Sequence, residues 1–325
     1  MFSHPLASNA SRTDVRSTDG GLEISINLIY EKEGLNSMKS LTDVYTFYNG
    51  STIPCVGYGT WRTPDGDVAR ESVKQAILAG YRHIDTAAVY RNEVSVGQGI
   101  AEGLAAAGLK REDLFVTTKI WCDKKGYEST KVEIQACLDR LGLTYVDLLL
   151  IHWPIATAEK AEDAWIKNNN ETWRAMEEAV DEGKVRNIGL SNFLPRHIEA
   201  LDCRIKPVSD QLEIHPGYLQ EEAVSYCKEH GIVVQAWSPL GSGVVLGDPF
   251  LNELAAKYGK SVAQLCVRFC LQYGVNPLPK SVHADRILAN TEVFDFEISE
   301  EDFEAIRKMP QLGFSGNDPD GNLPF

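Results

Sequence analysis

The 325-residue chain is short of positive charge: its 32 Lys and Arg stand against 46 Asp and Glu, a formal net charge of −14. A nucleic-acid partner needs a basic face to neutralise phosphates, so that class is excluded and room is left only for a small local basic pocket. Cysteines are few and unpatterned, seven between Cys55 and Cys270 with no CxxC spacing. This argues against a disulfide framework or a thiolate zinc site, and free thiols point to a reducing cytoplasm. No apolar run approaches the roughly 18 residues of a membrane span, and the N-terminus has no apolar signal core. GxGxxG after a strand, GxxxxGK[ST] and HExxH are all missing, which removes the usual phosphate loops and the helical zinc-protease signature.

What is present is ordinary globular material, 43% hydrophobic and 24% charged. Residues 1–37 are polar and lead into a second methionine, Met38. They read as a vector-derived or disordered leader, with one domain over 38–325. In DVYTFYNGSTIPCVGYG, apolar and polar residues alternate around Asn49-Gly50, a type I′ turn signal, so a β-hairpin is expected there. It runs into a first strand, 53–59. Helical and short apolar segments then alternate. Asp65 is placed to cap a helix bearing Ala69, Val73, Ala76 and Ile77, stopped by Gly80. Further helices are expected over 92–107, around Ile134–Leu141 and Trp173–Val180, near Pro195, and in YLQEEAVSYCKEHG, SVAQLCVRFCLQYG, 285–290 and 299–308. The remaining strands are expected near 81–85, 114–119, 146–152, 185–191, 208–213, 232–237 and 276–280. Eight such units in one α/β domain fit a single (β/α)8 TIM barrel with an N-terminal β-hairpin and C-terminal helices and loop. A doubly wound open sheet is the alternative.

In such a barrel the chemistry sits where strands end. The second strand ends in Asp85 with Tyr90 just beyond, the third in Lys119, the fourth in His152. Each alone has a plainer use: a capping acid, a packing phenol, a solvated amine, a structural imidazole. Together they make a complementary set. A phenol with a pKa of about 10 holds a proton at neutral pH. A nearby ammonium would lower that value, a carboxylate would anchor the ammonium, and an imidazole would polarise a carbonyl. Such a set protonates a developing alkoxide. It lacks a hydrolase-type nucleophile–base pair and a metal cluster, so a metal-dependent hydrolase is disfavoured. An alkoxide needs hydride, which no side chain supplies and a nicotinamide does.

The segments GYGTW, GYRHIDTAAVYRNE, TTKIW, LLIHWP, IGLSNF, QLEIHP, AWSPLG and PKSVHADRILAN resemble, in order, those of the aldo-keto reductases, nearest the bacterial 2,5-diketo-gluconic acid reductase and small-aldehyde reductase branch. The resemblance implies NADPH-dependent reduction of aldehydes and ketones, with NADH a weaker cofactor, and a monomer. It implies Tyr90 as general acid, Lys119 as its partner, Asp85 as anchor and His152 as the carbonyl-orienting group. Ser191, Asn192 and Gln211 would hold the nicotinamide carboxamide, and Trp237 would stack on the ring where many members have tyrosine. Gly59, Thr60 and Trp61 would lie beside ribose and substrate. Ser238, Leu240 and Ser242 would strap the pyrophosphate, and Lys280, Ser281, Val282, His283, Arg286 and Asn290 would form the 2′-phosphate site. His283 stands where many members have a hydroxyl residue and Ala289 where many have a glutamate. Trp61, Trp121 and Trp153 would wall an apolar substrate pocket with the C-terminal loop as a lid, suited to aldehydes and α-dicarbonyls. A nicotinamide-binding protein without catalysis on the same fold is the competing reading, disfavoured because all four catalytic groups are present.

Overall fold

The computed structural model describes residues 38–156, 159 and 164–321; the leader at 1–37 lies outside them. A two-stranded antiparallel hairpin, β1 (Val44–Thr46) and β2 (Thr52–Pro54), comes first. Its turn is tied by Asn49, whose Oδ1 accepts from the Ser51 amide and hydroxyl. The barrel strands follow: β3 (Tyr58–Gly59), β4 (His83–Asp85), β5 (Phe115–Ile120), β6 (Val146–Ile151), β7 (Val185–Ser191), β8 (Ser209–Glu213), β9 (Val233–Trp237) and β10 (Asn276–Pro277). They pair in chain order, all parallel. The Gly57 amide donates to Pro277 O at 3.0 Å and the Gly59 amide to Pro279 O at 3.2 Å, which joins the first strand to the last and closes the barrel.

Helices between strands are α1 (Asp67–Leu78), α2 (Glu93–Ala107), α3 (Tyr127–Leu141), α4 (Ala164–Asp181), α5 (Pro195–Glu199), α6 (Glu221–Glu229), α7 (Pro249–Lys257) and α8 (Val262–Gln272); α9 (Ala284–Ala289) and α10 (Glu300–Arg307) follow the last strand. Ile134, Leu138, Trp173 and Met176 on α3 and α4 pack on the outer faces of β5, β6 and β7, as their spacing predicts. Three expectations need correction. The single strand over 53–59 is two strands in two sheets, because Ile53 pairs in the hairpin and the chain turns before Tyr58. Asp65 does not cap α1: it accepts a hydrogen bond from Ser95 Oγ, and the helix begins two residues later behind Gly66. Helix α7 was not expected, although Asp248 caps it through the Leu251 amide and Pro249 opens it.

The hairpin plugs the N-terminal end of the barrel. Phe47 and Ile53 pack with Phe115, Leu148, Leu150 and Val208, which leaves only the opposite mouth open. Next to this plug lies His83, fully buried, with Nε2 2.9 Å from Thr117 Oγ1 and its ring edge-on to Phe115. A Cβ on Gly57 would lie 2.3 Å from His83 Nδ1, so the closing seam has room only for glycine. Burial, then the Lys119 charge, lowers the His83 imidazole to about 3. The unfolded chain therefore takes up a proton below about pH 6.5 that the native state refuses until about 3. Stability must fall as pH drops through this window, by about 1.4 kcal/mol per pH unit from this group. His83→Gln, which does not titrate, is expected to give a shallower loss of urea stability between pH 7 and 5 than the native chain; equal slopes would refute the assignment.

Candidate active site

The open mouth is a cleft of about 1370 Å³. In its wall and just behind it is an ion pair at the ends of β4 and β5: Lys119 Nζ lies 2.6 Å from Asp85 Oδ1, both groups almost wholly buried. Lys119 also donates to Thr86 O at 2.9 Å and to the Tyr90 hydroxyl at 3.3 Å. The other oxygen of Asp85, Oδ2, accepts from Gln211 Nε2 at 2.7 Å. The Asp85 carbonyl takes the Thr60 amide and hydroxyl, both at 3.0 Å. Burial raises the Asp85 carboxyl and lowers the Lys119 amine, and the contact between them opposes both shifts. At 2.6 Å, with Gln211 as a further donor on the carboxylate and a carbonyl on the amine, the pair stays ionised.

Tyr90 sits on a short 3₁₀ turn just past β4. Its hydroxyl is the third neighbour of the Lys119 ammonium. The expectation that lysine would lower the phenol's pKa is corrected: burial first, then the Asp85 charge, holds it well above 10. The lysine is closer to the carboxylate than to the phenol, so carboxylate and desolvation prevail. His152, at the end of β6, packs edge-on against Tyr90 (5.7 Å between centroids) and Trp121 (5.0 Å). Burial and then Lys119 lower its imidazole well below 6.5, so it is neutral, and its Nδ1 is buried without a hydrogen-bond partner.

A second layer holds these groups. The Asn192 amide donates to His152 O and Ser191 Oγ, both at 3.0 Å, while its Oδ1 accepts from Trp237 Nε1 at 2.8 Å. Ser191 Oγ donates to Gln211 O at 2.9 Å. What is left over is one lone pair each on Asn192 Oδ1 and Ser191 Oγ, and one N–H and the carbonyl of the Gln211 amide. Trp237 stands between Trp61 (5.7 Å) and Trp153 (6.4 Å), both nearly perpendicular to it.

The cleft gathers Asp85, Tyr90, His152, Gly59, Trp61, Trp121, Trp153, Ser191, Asn192, Gln211 and Trp237 at one end. Lys119 lies behind this wall. Ser238, Leu240, Ser242, Lys280, Ser281, Arg286 and Asn290 line the rest. Thr60, Val282 and His283 do not line it. Thr60 turns inward to the Asp85 carbonyl; the His283 amide bonds back to Ser281 Oγ at 3.1 Å, which leaves the imidazole exposed at the start of α9. Among the lining residues that sequence reasoning missed are three cations and a C-terminal asparagine. Arg62 and Arg91 directly follow GYGTW and the catalytic-type tyrosine. Lys260 follows the unexpected α7, and Asn317 lies in the C-terminal loop. Lys280 is lowered by burial and then by the Arg62 charge, so two cations share this side of the cleft. Among the described residues, none of the ion pairs involves Arg62, Lys280 or Arg286. No group of three or more His, Cys, Asp or Glu there could hold a metal. No helix there is long and apolar enough to cross a membrane.

A buried acid–base pair beside a phenol and a neutral imidazole, at the mouth of an eight-stranded parallel barrel, coincides with a family match: the family model described as aldo/keto reductase covers residues 55–310. The chain belongs to the aldo/keto reductase family. It is 44% identical over 283 residues to the glyoxal reductase of Bacillus subtilis strain 168, covering 86% of this chain and 98% of that protein. It is 42% identical over 284 residues to the 9,11-endoperoxide prostaglandin H2 reductase of Trypanosoma cruzi strain CL Brener, covering 86% and 95%. Among solved structures, the Bombyx mori aldo-keto reductase AKR2E4 in complex with NADP superposes with a TM-score of 0.75 at 41% identity, covering 82% of this chain and 92% of that one. This member of the family is therefore an oxidoreductase of carbonyl groups, built on the (β/α)8 fold.

The ion pair also makes a stability prediction. Lys119→Met leaves the Asp85 carboxylate buried with only Gln211, at a cost of about 3–5 kcal/mol. Asp85→Asn combined with Lys119→Met removes both charges and is expected to cost clearly less than the two single losses added. Urea unfolding of the three variants measures this, and strict additivity would rule out a coupled pair.

Proposed function

We propose that the chain reduces aldehydes and ketones to alcohols with NADPH, taking small aldehydes, α-dicarbonyls and keto-sugars. The observation that carries this reading is the Tyr90 hydroxyl, 3.3 Å from a buried ammonium and edge-on to a neutral imidazole inside one cleft.

Beyond Trp61 the cleft is lined by three cations without carboxylate partners among the described residues, Arg62, Lys280 and Arg286, and a bound anion would relieve the crowding of Lys280 by Arg62. The strap Ser238–Gly243 carries positive φ at Ser238, Gly241, Ser242 and Gly243 and ties its own amides back to Ser238 and Leu240, which fixes the Ser238 and Ser242 hydroxyls beside the cleft. At the near end, the unused donors and acceptors of Ser191, Asn192 and Gln211 match a carboxamide, and Trp237 offers an indole fixed by Asn192. These residues fit NADPH. When bound, it supplies the hydride that the side chains cannot.

The chain's own residues then supply the proton and its control. Tyr90 keeps its proton at neutral pH and gives it up only as negative charge grows on the carbonyl oxygen. Lys119 steadies the phenolate left behind, held there by Asp85, which is in turn held by Gln211 and Thr60. His152 is neutral, and its buried Nδ1 has nothing to donate to, so its proton belongs on Nε2, available to the carbonyl oxygen. Trp61, Trp121 and Trp153 exclude water around the reacting carbon.

NADPH oxidation by the purified chain with a panel of aldehydes and α-dicarbonyls tests the whole reading; no turnover with any would sink it. Tyr90→Phe is expected to lower kcat roughly 10²- to 10⁴-fold with NADPH binding unchanged by fluorescence titration. Arg286→Ala is expected to weaken NADPH binding roughly 10- to 100-fold and to leave NADH binding near its native value. Equal effects on both cofactors would remove Arg286 from the 2′-phosphate site.

A further inference from the structure

Lys125 and Glu159 form a buried ion pair that does not line the cleft. Lys125 closes the turn after β5 that Trp121 opens: the Lys124 amide donates to Trp121 O at 3.0 Å and the Lys125 amide to Cys122 O at 3.4 Å. The Lys125 side chain is 1% exposed, and its amine has three acceptors, Glu159 Oε2 at 2.5 Å, Pro154 O at 2.9 Å and Asn169 Oδ1 at 3.2 Å. Pro154 directly follows Trp153. Glu159 is itself bound within that segment, where its Oε2 accepts from the Ala156 amide at 2.8 Å. Its Oε1 accepts from Asn168 Nδ2, on α4, at 2.6 Å. Asn169, also on α4, donates from Nδ2 to Pro154 O at 3.0 Å. One amine thus ties the segment carrying Trp121 to the segment carrying Trp153, and both to α4.

Burying an ammonium is costly, and a well-packed apolar side chain of similar volume is often as stable or more so. Nor does the turn lack other ties to its surroundings. The Gly126 amide donates to Thr172 Oγ1 at 2.8 Å, and Thr130 Oγ1 donates to Lys124 O at 3.0 Å. What the charge adds is a single arrangement. Three acceptors satisfy one amine only at one relative placement of their segments, and a slip leaves a buried N–H or carboxylate oxygen unpaired. The residues placed in this way wall the cleft. Trp121 stands edge-on to His152, with 5.0 Å between centroids, and Trp153 edge-on to Trp237, with 6.4 Å.

We infer that Lys125 is a positioning residue for the substrate: through Glu159, Pro154 and Asn169 it sets the spacing of the Trp121 and Trp153 walls around the reacting carbonyl. The inference rests on the reductase reading. A small aldehyde makes few contacts, so its orientation depends on where these two walls stand. A longer unbranched aldehyde finds further apolar surface along the cleft and depends on them less. Tyr90, Lys119 and His152 are placed by other partners, so proton delivery and cofactor binding do not pass through Lys125.

The test measures kcat and KM for propanal and hexanal with saturating NADPH, together with NADPH affinity by fluorescence titration and stability in urea. Lys125→Met is expected to raise KM for propanal roughly tenfold, a fraction of the roughly 100-fold that a misplacement of about 1 Å can cost. KM for hexanal should rise less than about threefold, with kcat and NADPH affinity within about twofold of native. Lys125→Met combined with Glu159→Leu removes both charges and is expected to recover most of the stability lost by the single variant. It should nonetheless keep the raised propanal KM. The double variant therefore separates placement from stability, and it decides the matter if the single variant does not fold. A native ratio of propanal to hexanal KM in the double variant overturns the role of Lys125. So does an equal rise for both aldehydes, which general loosening of the mouth would give. In either case native turnover leaves the reductase reading standing. No turnover of any aldehyde by the native chain removes that reading, and this inference with it.

Discussion

The site depends on one contact, the ion pair between Asp85 and Lys119. Two opposite charges are held away from water at the ends of adjacent strands, which is stable only if each is fully satisfied. Register supplies the neighbours: Asp85 pairs with Thr117 along β4 and β5, so Lys119 falls one turn of the pleat beyond it on the same face. Gln211, four strands further round, closes the remaining carboxylate oxygen. That bond exists only because the barrel is closed and its centre is narrow enough for β4 and β8 side chains to meet. The seam at Gly57 and Gly59 and the plug at Phe47 therefore serve the chemistry, though neither touches the cleft's reacting groups.

The cleft divides electrostatically along its length. At the barrel centre the charges cancel, the imidazole is neutral and the phenol protonated. A neutral carbonyl can enter there without meeting a net field. Beyond Trp61 the cleft is lined by Arg62, Lys280 and Arg286, in a chain whose net charge is −14. The overall charge thus says little about the site. Local concentration of cations, with burial depressing Lys280, decides the field in that part of the cleft.

Much of this was legible because the β/α repeat carries its own address system. Strand ends can be counted, and Asp85, Tyr90, Lys119 and His152 fall at consecutive ones. The misreadings share a cause, which is competition from partners distant in sequence. Asp65 has the right chemistry and spacing for a cap, but Ser95 of α2 takes its carboxylate. Gln211 reads as a cofactor ligand, yet one of its two N–H groups belongs to Asp85. Asn192 reads the same way, and Trp237 and His152 already occupy most of its amide. The expected lowering of Tyr90 failed because proximity to lysine is readable from strand order, whereas desolvation is a property of the packed mouth. Arg62 and Arg91 sat beside recognised motifs, but nothing in residue type tells a cleft-lining arginine from a solvated one.

Backbone conformation separates them. Among the described residues, Arg62, Arg91, Asn192, Gln220, Ser238 and Ser242 are the non-glycine positions at positive φ, and all but Gln220 line the cleft. A left-handed residue with a side chain is disfavoured, so it persists where its surroundings over-determine it. Asn192 is held by three hydrogen bonds from its side chain. Ser238 and Ser242 hold each other, hydroxyl to hydroxyl at 3.0 Å and hydroxyl to amide at 2.9 Å. Arg62 is held by its carbonyl to Lys280 and by its guanidinium 4.3 Å over Trp61. Strain collected at one mouth, and compensated residue by residue, fixes these loops before any ligand arrives. Such pre-organisation is how a rigid barrel lends precision to groups carried on loops.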